Sequence, residues 1–227
     1  MSVELIVLDD EREAARAAGE ILSDAARHGG HIALSGGSTP QHAYETAAEL
    51  EPSWGKAELW WGDERCVPPD DERSNFRLAE RSLIERLTEP PRAIHRVKGE
   101  AEPDDAAAAY SAELRDVRFA VNLLGLGPDG HTASLFPNSP ALDETERLAV
   151  AAEPGLDPRV TRVTLTPPAL CNAELVLFLV AGEVKAEAAA RAFAGPESRT
   201  TPASMIRAQG GLTVAILDRA AAALLPA

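Results

Sequence analysis

The sequence predicts an α/β fold, namely an open, Rossmann-like and mostly parallel sheet with helices on both faces. Short apolar segments of strand length alternate along the chain with longer segments of helical periodicity. Glycine and proline residues mark the junctions between them. Because no repeat, low-complexity segment or long linker interrupts this alternation, we expect one domain over residues 1–227.

The predicted strands are short apolar segments rich in Val, Ile and Leu, a composition typical of buried strands. The segment 175–180 is the most apolar of them. The full set comprises 3–8, 31–35, 57–61, 94–97, 119–124, 148–152, 161–166, 175–180 and 212–217.

Capping residues indicate where the helices begin and end. Asp10 is the predicted N-cap of a first helix that ends at Gly29 and Gly30. Thr39 and Pro40 predict the N-cap and first position of the second helix. Further helices are expected from residue 74 onward, over 104–114, over 183–194 and, capped by Asp218, near the end of the chain.

Composition and charge argue against several classes of protein. The formal net charge is −14 and the basic residues are scattered, so we expect no nucleic-acid binding. We also expect no membrane association, because no apolar segment reaches the roughly 20 residues of a membrane helix and no signal peptide is evident. Cys66 and Cys171 are too few for a disulfide framework, which favours a reduced, cytoplasmic protein. No His, Cys or Asp cluster has metal-ligand spacing, so no metal is expected.

Three polar loops each follow a predicted strand, the position at which open parallel sheets bind ligands. The glycines of the first loop allow a phosphate to approach the backbone, and the next helix offers N–H groups and a positive dipole. A tight turn with an N-cap is the alternative, since the P-loop spacing and its lysine are missing. This first loop consists of Ser35, Gly36, Gly37, Ser38 and Thr39.

The second loop contains Asp63, Glu64 and Arg65, directly after Trp61. Charged residues in such a triplet form a solvated turn with a surface ion pair in many proteins. Their position at the end of a strand makes a role in ligand binding an equal alternative.

The third loop, residues 125–132, carries the clearest chemical signal. Three glycines and a proline constrain its backbone, and Asp129 precedes His131 by two residues. A carboxylate beside an imidazole fixes the tautomer of the ring and raises its basicity. We therefore interpret His131 as a general base and Asp129 as the residue that orients it.

These segments resemble the family of 6-phosphogluconolactonases, in the superfamily that also holds glucosamine-6-phosphate deaminases. The resemblance covers nearly the whole chain. It implies an open Rossmann-like sheet, no required cofactor, a general-base role for His131 and a sugar-phosphate site at the loop 35–39. The matching segments are 34–40, 61–65, 74–75, 125–136 and 162–166.

Two features favour the lactonase over the deaminase. Deaminases carry an acidic residue a few positions after the histidine, whereas residues 132–137 here contain none. Deaminases also tend to have Tyr or Phe at the position of Arg65. A third possibility is a sugar-phosphate-sensing domain, which is normally fused to a DNA-binding segment; no helix-turn-helix fits before the first strand.

The resemblance implies hydrolysis of 6-phospho-D-glucono-1,5-lactone to 6-phosphogluconate, a step of the oxidative pentose phosphate pathway. His131 is expected to activate the water that attacks C1. The oxyanion donors are expected to be backbone N–H groups of residues 125–130, including Gly130, or the side chain of Arg65. Arg162 and Lys185 are expected to bind the phosphate, and Asp63 either contacts sugar hydroxyls or holds Arg65.

Overall fold

A computed structural model describes residues 3–155, 157 and 159–226. Its strands are β1 (Glu4–Leu8), β2 (Gly30–Leu34), β3 (Ala57–Trp61), β4 (Asp63–Arg65), β5 (Ala93–Ile94), β6 (Phe119–Leu124), β7 (Ala149–Ala152), β8 (Arg162–Leu165), β9 (Ala173–Val180) and β10 (Leu212–Asp218). Its α-helices are α1 (Glu11–His28), α2 (Ser38–Leu50), α3 (Asn75–Ser82), α4 (Pro103–Glu113), α5 (Pro167–Cys171) and α6 (Ala186–Phe193). Short 3₁₀ helices span Ile84–Arg86, Pro140–Asp143, Glu183–Lys185 and Pro202–Met205.

Seven strands form one parallel sheet in the order β1-β10-β9-β6-β2-β3-β5. Alternate residues of each strand pack on opposite faces. Ile32 and Leu59 lie in a core with α1, α2 and α3, while Ala33 and Trp60 lie in a second core with α4, α5 and α6. The prediction of a mostly parallel sheet with helices on both faces is confirmed.

A second, smaller sheet is antiparallel, with the order β4-β8-β7. The strands predicted at 148–152 and 161–166 belong to this sheet and not to the parallel one. The triplet 63–65, for which a turn was one interpretation, is a strand. It pairs with β8, so that Arg65 lies opposite Arg162.

Two helix predictions are wrong in detail. α2 begins at Ser38 with Gly37 as its N-cap, because Gly37 adopts a φ of 116° that turns the chain one residue before Thr39. Beyond Asp218, the described residues form turns and no helix, although the Asp218 carboxylate accepts a capping hydrogen bond from the Ala221 N–H (2.7 Å). A segment this short gains too few helical hydrogen bonds to offset nucleation.

The sheet topology determines where the site lies. β6, β2 and β3 are neighbours, and the connections lead from β2 towards β5 but from β6 towards β1. Parallel sheets bind ligands at such a switch point, beyond the carboxyl ends of the strands. The three polar loops meet there. In the part of the chain that the structure describes, no helix is long and apolar enough to cross a membrane.

Candidate active site

A cleft of about 200 Å³ opens where the loops after β2, β3 and β6 meet. Larger depressions lie along α1 and α2 and beside Pro137, but neither includes the glycine loops or His131. The predicted site residues that line the cleft are Ser35, Gly36, Gly37, Asp63, Arg65, His131, Arg162 and Lys185.

The other predicted site residues lie outside the lining of the cleft. Asp129 contacts His131, and Gly130 forms a turn with a φ of 94° that packs against Thr201. Ser38 and Thr39 are in the first turn of α2, and the Thr39 hydroxyl donates to Glu11 (2.8 Å). Of the first polar loop, residues 35–39, only Ser35, Gly36 and Gly37 therefore line the cleft.

His131 and Asp129 form a hydrogen-bonded pair. The Nδ1 of His131 lies 2.6 Å from the Oδ1 of Asp129, which also accepts the His131 backbone N–H at 3.1 Å. Burial opposes ionisation of Asp129, but the bonds to His131 and its charge outweigh burial and lower the pKa of this carboxyl. Because an ionised carboxylate only accepts, Nδ1 carries the proton, and the lone pair of the ring is on Nε2.

Gly127 makes this geometry possible. A Cβ at residue 127 would lie 2.0 Å from the His131 Nδ1 and 2.6 Å from the Asp129 Oδ1, so only glycine fits beneath the pair. The Gly127 N–H donates to the carbonyl of His131 (2.8 Å), and the Gly130 N–H donates to the carbonyl of Gly127 (3.0 Å). These two amides are used within the loop, which favours Arg65 over them as a donor to an oxyanion.

Phe136 lies between His131 and Arg162. Its ring centroid is 4.8 Å from that of His131, and the guanidinium carbon of Arg162 lies 5.5 Å from the same ring. Arg162 is buried, and burial lowers the pKa of its guanidinium group. The negative charge of Asp63 raises this pKa, and the positive charge of Arg65 lowers it further. The pairing of β4 with β8 thus places two arginines opposite each other, and both line the cleft.

Lys185 approaches the cleft from the connection after β9. Burial lowers the pKa of its ammonium group, and the nearby charge of Asp129 opposes this effect. Lys185 therefore adds a third cation to the lining, near the His131–Asp129 pair.

Asp63 is held inside the wall of the cleft. Its Oδ2 accepts the hydroxyl of Ser134 (2.5 Å), and its Oδ1 accepts the Nδ2 of Asn75 (3.2 Å). The same Nδ2 donates to the Asp63 carbonyl at 2.8 Å. Sequence reasoning did not assign Asn75 or Ser134 to the site, although both lie in segments that carry the family resemblance.

Glu64 connects β4 to the start of α3. Its buried carboxylate accepts the backbone N–H groups of Arg65, Asn75 and Phe76 (2.7 Å each) and the Ser74 hydroxyl (3.0 Å). Burial raises its pKa. A carboxylate at a helix N-terminus is stabilised by the free N–H groups and the dipole, so Glu64 fixes Asn75 beside the cleft.

Two buried tyrosines anchor the strand ends from which the loops leave. The Tyr44 hydroxyl of α2 accepts the N–H of Ser35 (2.8 Å) and donates to its carbonyl (2.6 Å). The Tyr110 hydroxyl of α4 makes the same pair of bonds to Trp61 (2.8 and 3.1 Å). Burial raises the pKa of both hydroxyls, so both remain protonated donors.

Known proteins resemble this chain in sequence and in fold. The family model of glucosamine-6-phosphate isomerases/6-phosphogluconolactonase matches residues 9–215. The chain belongs to this family. A 6-phosphogluconolactonase of Haemophilus influenzae is 38% identical over 207 residues, which cover 87% of this chain and 88% of the relative.

Solved structures of the family share the fold. The 6-phosphogluconolactonase of Trypanosoma cruzi superposes with a TM-score of 0.88 at 28% identity, over 100% of this chain and 99% of that one. A monomeric glucosamine-6-phosphate deaminase has a TM-score of 0.84 at 21% identity, over 98% and 100% of the two chains. The latter likeness concerns the fold alone. Both branches of the family therefore use this architecture, and residues of the site must distinguish them.

Proposed function

We propose that this chain hydrolyses 6-phospho-D-glucono-1,5-lactone to 6-phosphogluconate, with His131 as the general base. The lactonase activity is supported by family membership and by curated relatives of that name at 38–40% identity. The mechanism depends on one observation above the others. Asp129 binds the Nδ1 of His131 and leaves the lone pair on Nε2, on an imidazole that lines the cleft.

In the proposed reaction, the Nε2 of His131 removes a proton from water while the water oxygen attacks C1 of the lactone. The electron pair of the carbonyl moves to its oxygen, and Asp129 stabilises the imidazolium that forms. When the intermediate collapses, the bond from C1 to the ring oxygen breaks and that oxygen takes the proton from Nε2. A positioned base of this kind contributes about 10²- to 10⁴-fold in rate.

The cations of the cleft bind the phosphate in this proposal. A net charge of −14 disfavours a dianion at long range, so binding requires short-range groups. Arg162 and Arg65 lie opposite each other on paired strands and line the cleft, and Lys185 adds a third charge. The start of α2 offers backbone N–H groups near Gly37. The phosphate is remote from C1, so these groups act mainly on binding.

The test is a direct assay with freshly generated 6-phosphogluconolactone. We expect protein treated with a chelator, without added nucleotide, to hydrolyse the lactone at full rate and to act far more slowly on unphosphorylated gluconolactone. Ammonia release from glucosamine 6-phosphate at a comparable rate would assign the chain to the deaminase branch instead.

A further inference from the structure

The carbonyl oxygen of Asn75 is an unpartnered acceptor in the wall of the cleft. Asn75 is 1% exposed, and within the described residues its Oδ1 has no hydrogen-bond partner. Buried polar atoms are almost always hydrogen-bonded, and those that are not call for an explanation. Because Asn75 lines the cleft, a ligand bound there is the natural partner.

The orientation of this amide is fixed by its neighbours. The Nδ2 of Asn75 donates to the carbonyl of Asp63 (2.8 Å) and to its Oδ1 (3.2 Å), both of which are acceptors only. Asp63 is held in turn by the hydroxyl of Ser134. Rotating the amide by 180° would bring two acceptors together, so the acceptor of Asn75 stays on the side away from Asp63.

Gly36 provides the space for this oxygen. A Cβ at residue 36 would lie 1.9 Å from the Asn75 Oδ1 and 2.6 Å from its Cγ. A side chain at residue 36 is therefore incompatible with this position of Asn75. The glycine is explained by this contact, whereas the sequence suggested that a phosphate approaches the backbone there.

The chemistry of the acceptor selects the part of the substrate that it can bind. A phosphate dianion, a lactone carbonyl and a ring oxygen are all acceptors, and none of them can donate to Oδ1. The neighbouring Ser35 Oγ is also buried and unpartnered among the described residues, but a hydroxyl can donate and is compatible with phosphate. The substrate groups that can donate to Asn75 are the hydroxyls of the sugar.

We propose that Asn75 is a specificity residue whose Oδ1 accepts a hydrogen bond from one ring hydroxyl of the phosphorylated lactone. This inference rests on the proposed function, which supplies the substrate. Asp63 then acts as a positioning residue that holds the Asn75 amide, and the phosphate lies towards Arg162 and Arg65.

The experiment compares the lactone with its 2-deoxy, 3-deoxy and 4-deoxy forms, all carrying the 6-phosphate. The enzymes are the parent and Asn75→Ala. The parent should lose about 10-fold in kcat/KM on one deoxy lactone, the equivalent of one hydrogen bond. Asn75→Ala should lose about as much on the full lactone and nothing further on that deoxy form.

A second measurement separates the sugar from the phosphate. With Asn75→Ala, the inhibition constant of 6-phosphogluconate should rise about 10-fold, while that of inorganic phosphate should stay within about twofold. A common factor for Asn75→Ala on all four lactones would instead mean a structural role or contact with the attacking water, and would overturn the proposal.

The inference can also be tested on the parent enzyme alone, so the test does not depend on whether Asn75→Ala folds. Equal kcat/KM values for the full lactone and all three deoxy forms would overturn the role of Asn75 but leave the lactonase activity in place. Absence of hydrolysis of any lactone would overturn the proposed function itself.

Discussion

The loops after β2 and β6 each contain a glycine that packs directly against a side chain of the site, but the two side chains come from different parts of the chain. In each, an ideal Cβ would lie within about 2 Å of a side chain, at Gly36 against Asn75 and at Gly127 against His131. His131 belongs to the same loop as its glycine, whereas Asn75 arrives from α3. A functional pair within one loop is visible in the sequence. A pair assembled by the fold is not.

The largest effect is expected from removal of the base in the β6 loop. His131→Ala should lower kcat by about two to four orders of magnitude, because the positioned proton acceptor is lost. The melting temperature should change little, since the side chain lies at the cleft and is partly exposed. Steady-state kinetics and a thermal melt check both points. Near-normal turnover by a folded variant would remove His131 from the mechanism.

The next effect tests whether Gly127 positions the imidazole. Gly127→Ala should lower kcat by roughly 100-fold, because the new methyl group would occupy the place of the His131 ring and a misplaced group costs about this factor. The matched control is Gly125→Ala in the same loop, where a Cβ meets no atom within 4 Å. Equal kinetics for the two variants would mean that the ring is not held by Gly127.

The corresponding change in the β2 loop should be smaller and of a different kind. Gly36→Ala would displace the Asn75 amide, so we expect kcat/KM to fall about 10-fold, mostly through KM. Gly62→Ala is the control, since its Cβ would be 3.6 Å from the nearest atom, an ordinary contact. The double variant Gly36→Ala/Asn75→Ala should lose little more kcat/KM than either single variant, because both substitutions disrupt one interaction. Additive losses of kcat/KM would show that the two residues act independently.

The same contrast shows what the sequence can predict. The central strands β6 and β9 were located closely because strands covered on both faces are continuous apolar segments. The prediction of an edge strand at 94–97 was less accurate, since β5 spans only Ala93–Ile94. The Asp129–His131 pair was predicted because its members are two residues apart and already in contact along the chain. The cleft residues of three separate loops were predicted one by one, since each loop follows a strand.

What the sequence did not reveal depends on pairing between distant segments. β4 contains only Asp63, Glu64 and Arg65, which have no apolar alternation, and it is a strand because β8 pairs with it. That pairing places Arg65 beside Arg162. Asn75 reaches the cleft only because the Glu64 carboxylate holds the N-terminus of α3. None of these contacts has a local pattern that predicts it.

The smallest expected effect concerns Lys185, the third cation that lines the cleft. Burial lowers the pKa of its ammonium group relative to the unfolded chain, so the charged form is less stable in the folded protein. Lys185→Met should therefore raise the melting temperature by about 1–4 °C at neutral pH. The gain in melting temperature should shrink as pH rises through the lysine pKa, because the parent then loses the same charge.

The KM of Lys185→Met for the lactone should rise about fivefold, the effect of one partly screened ion pair. Lys98→Met, a change at an exposed lysine, should alter neither quantity appreciably. A variant that binds the lactone normally and melts no higher would show that Lys185 is an ordinary surface residue. A rise in both KM and melting temperature would show that this chain keeps a half-buried charge for its substrate at a cost in stability.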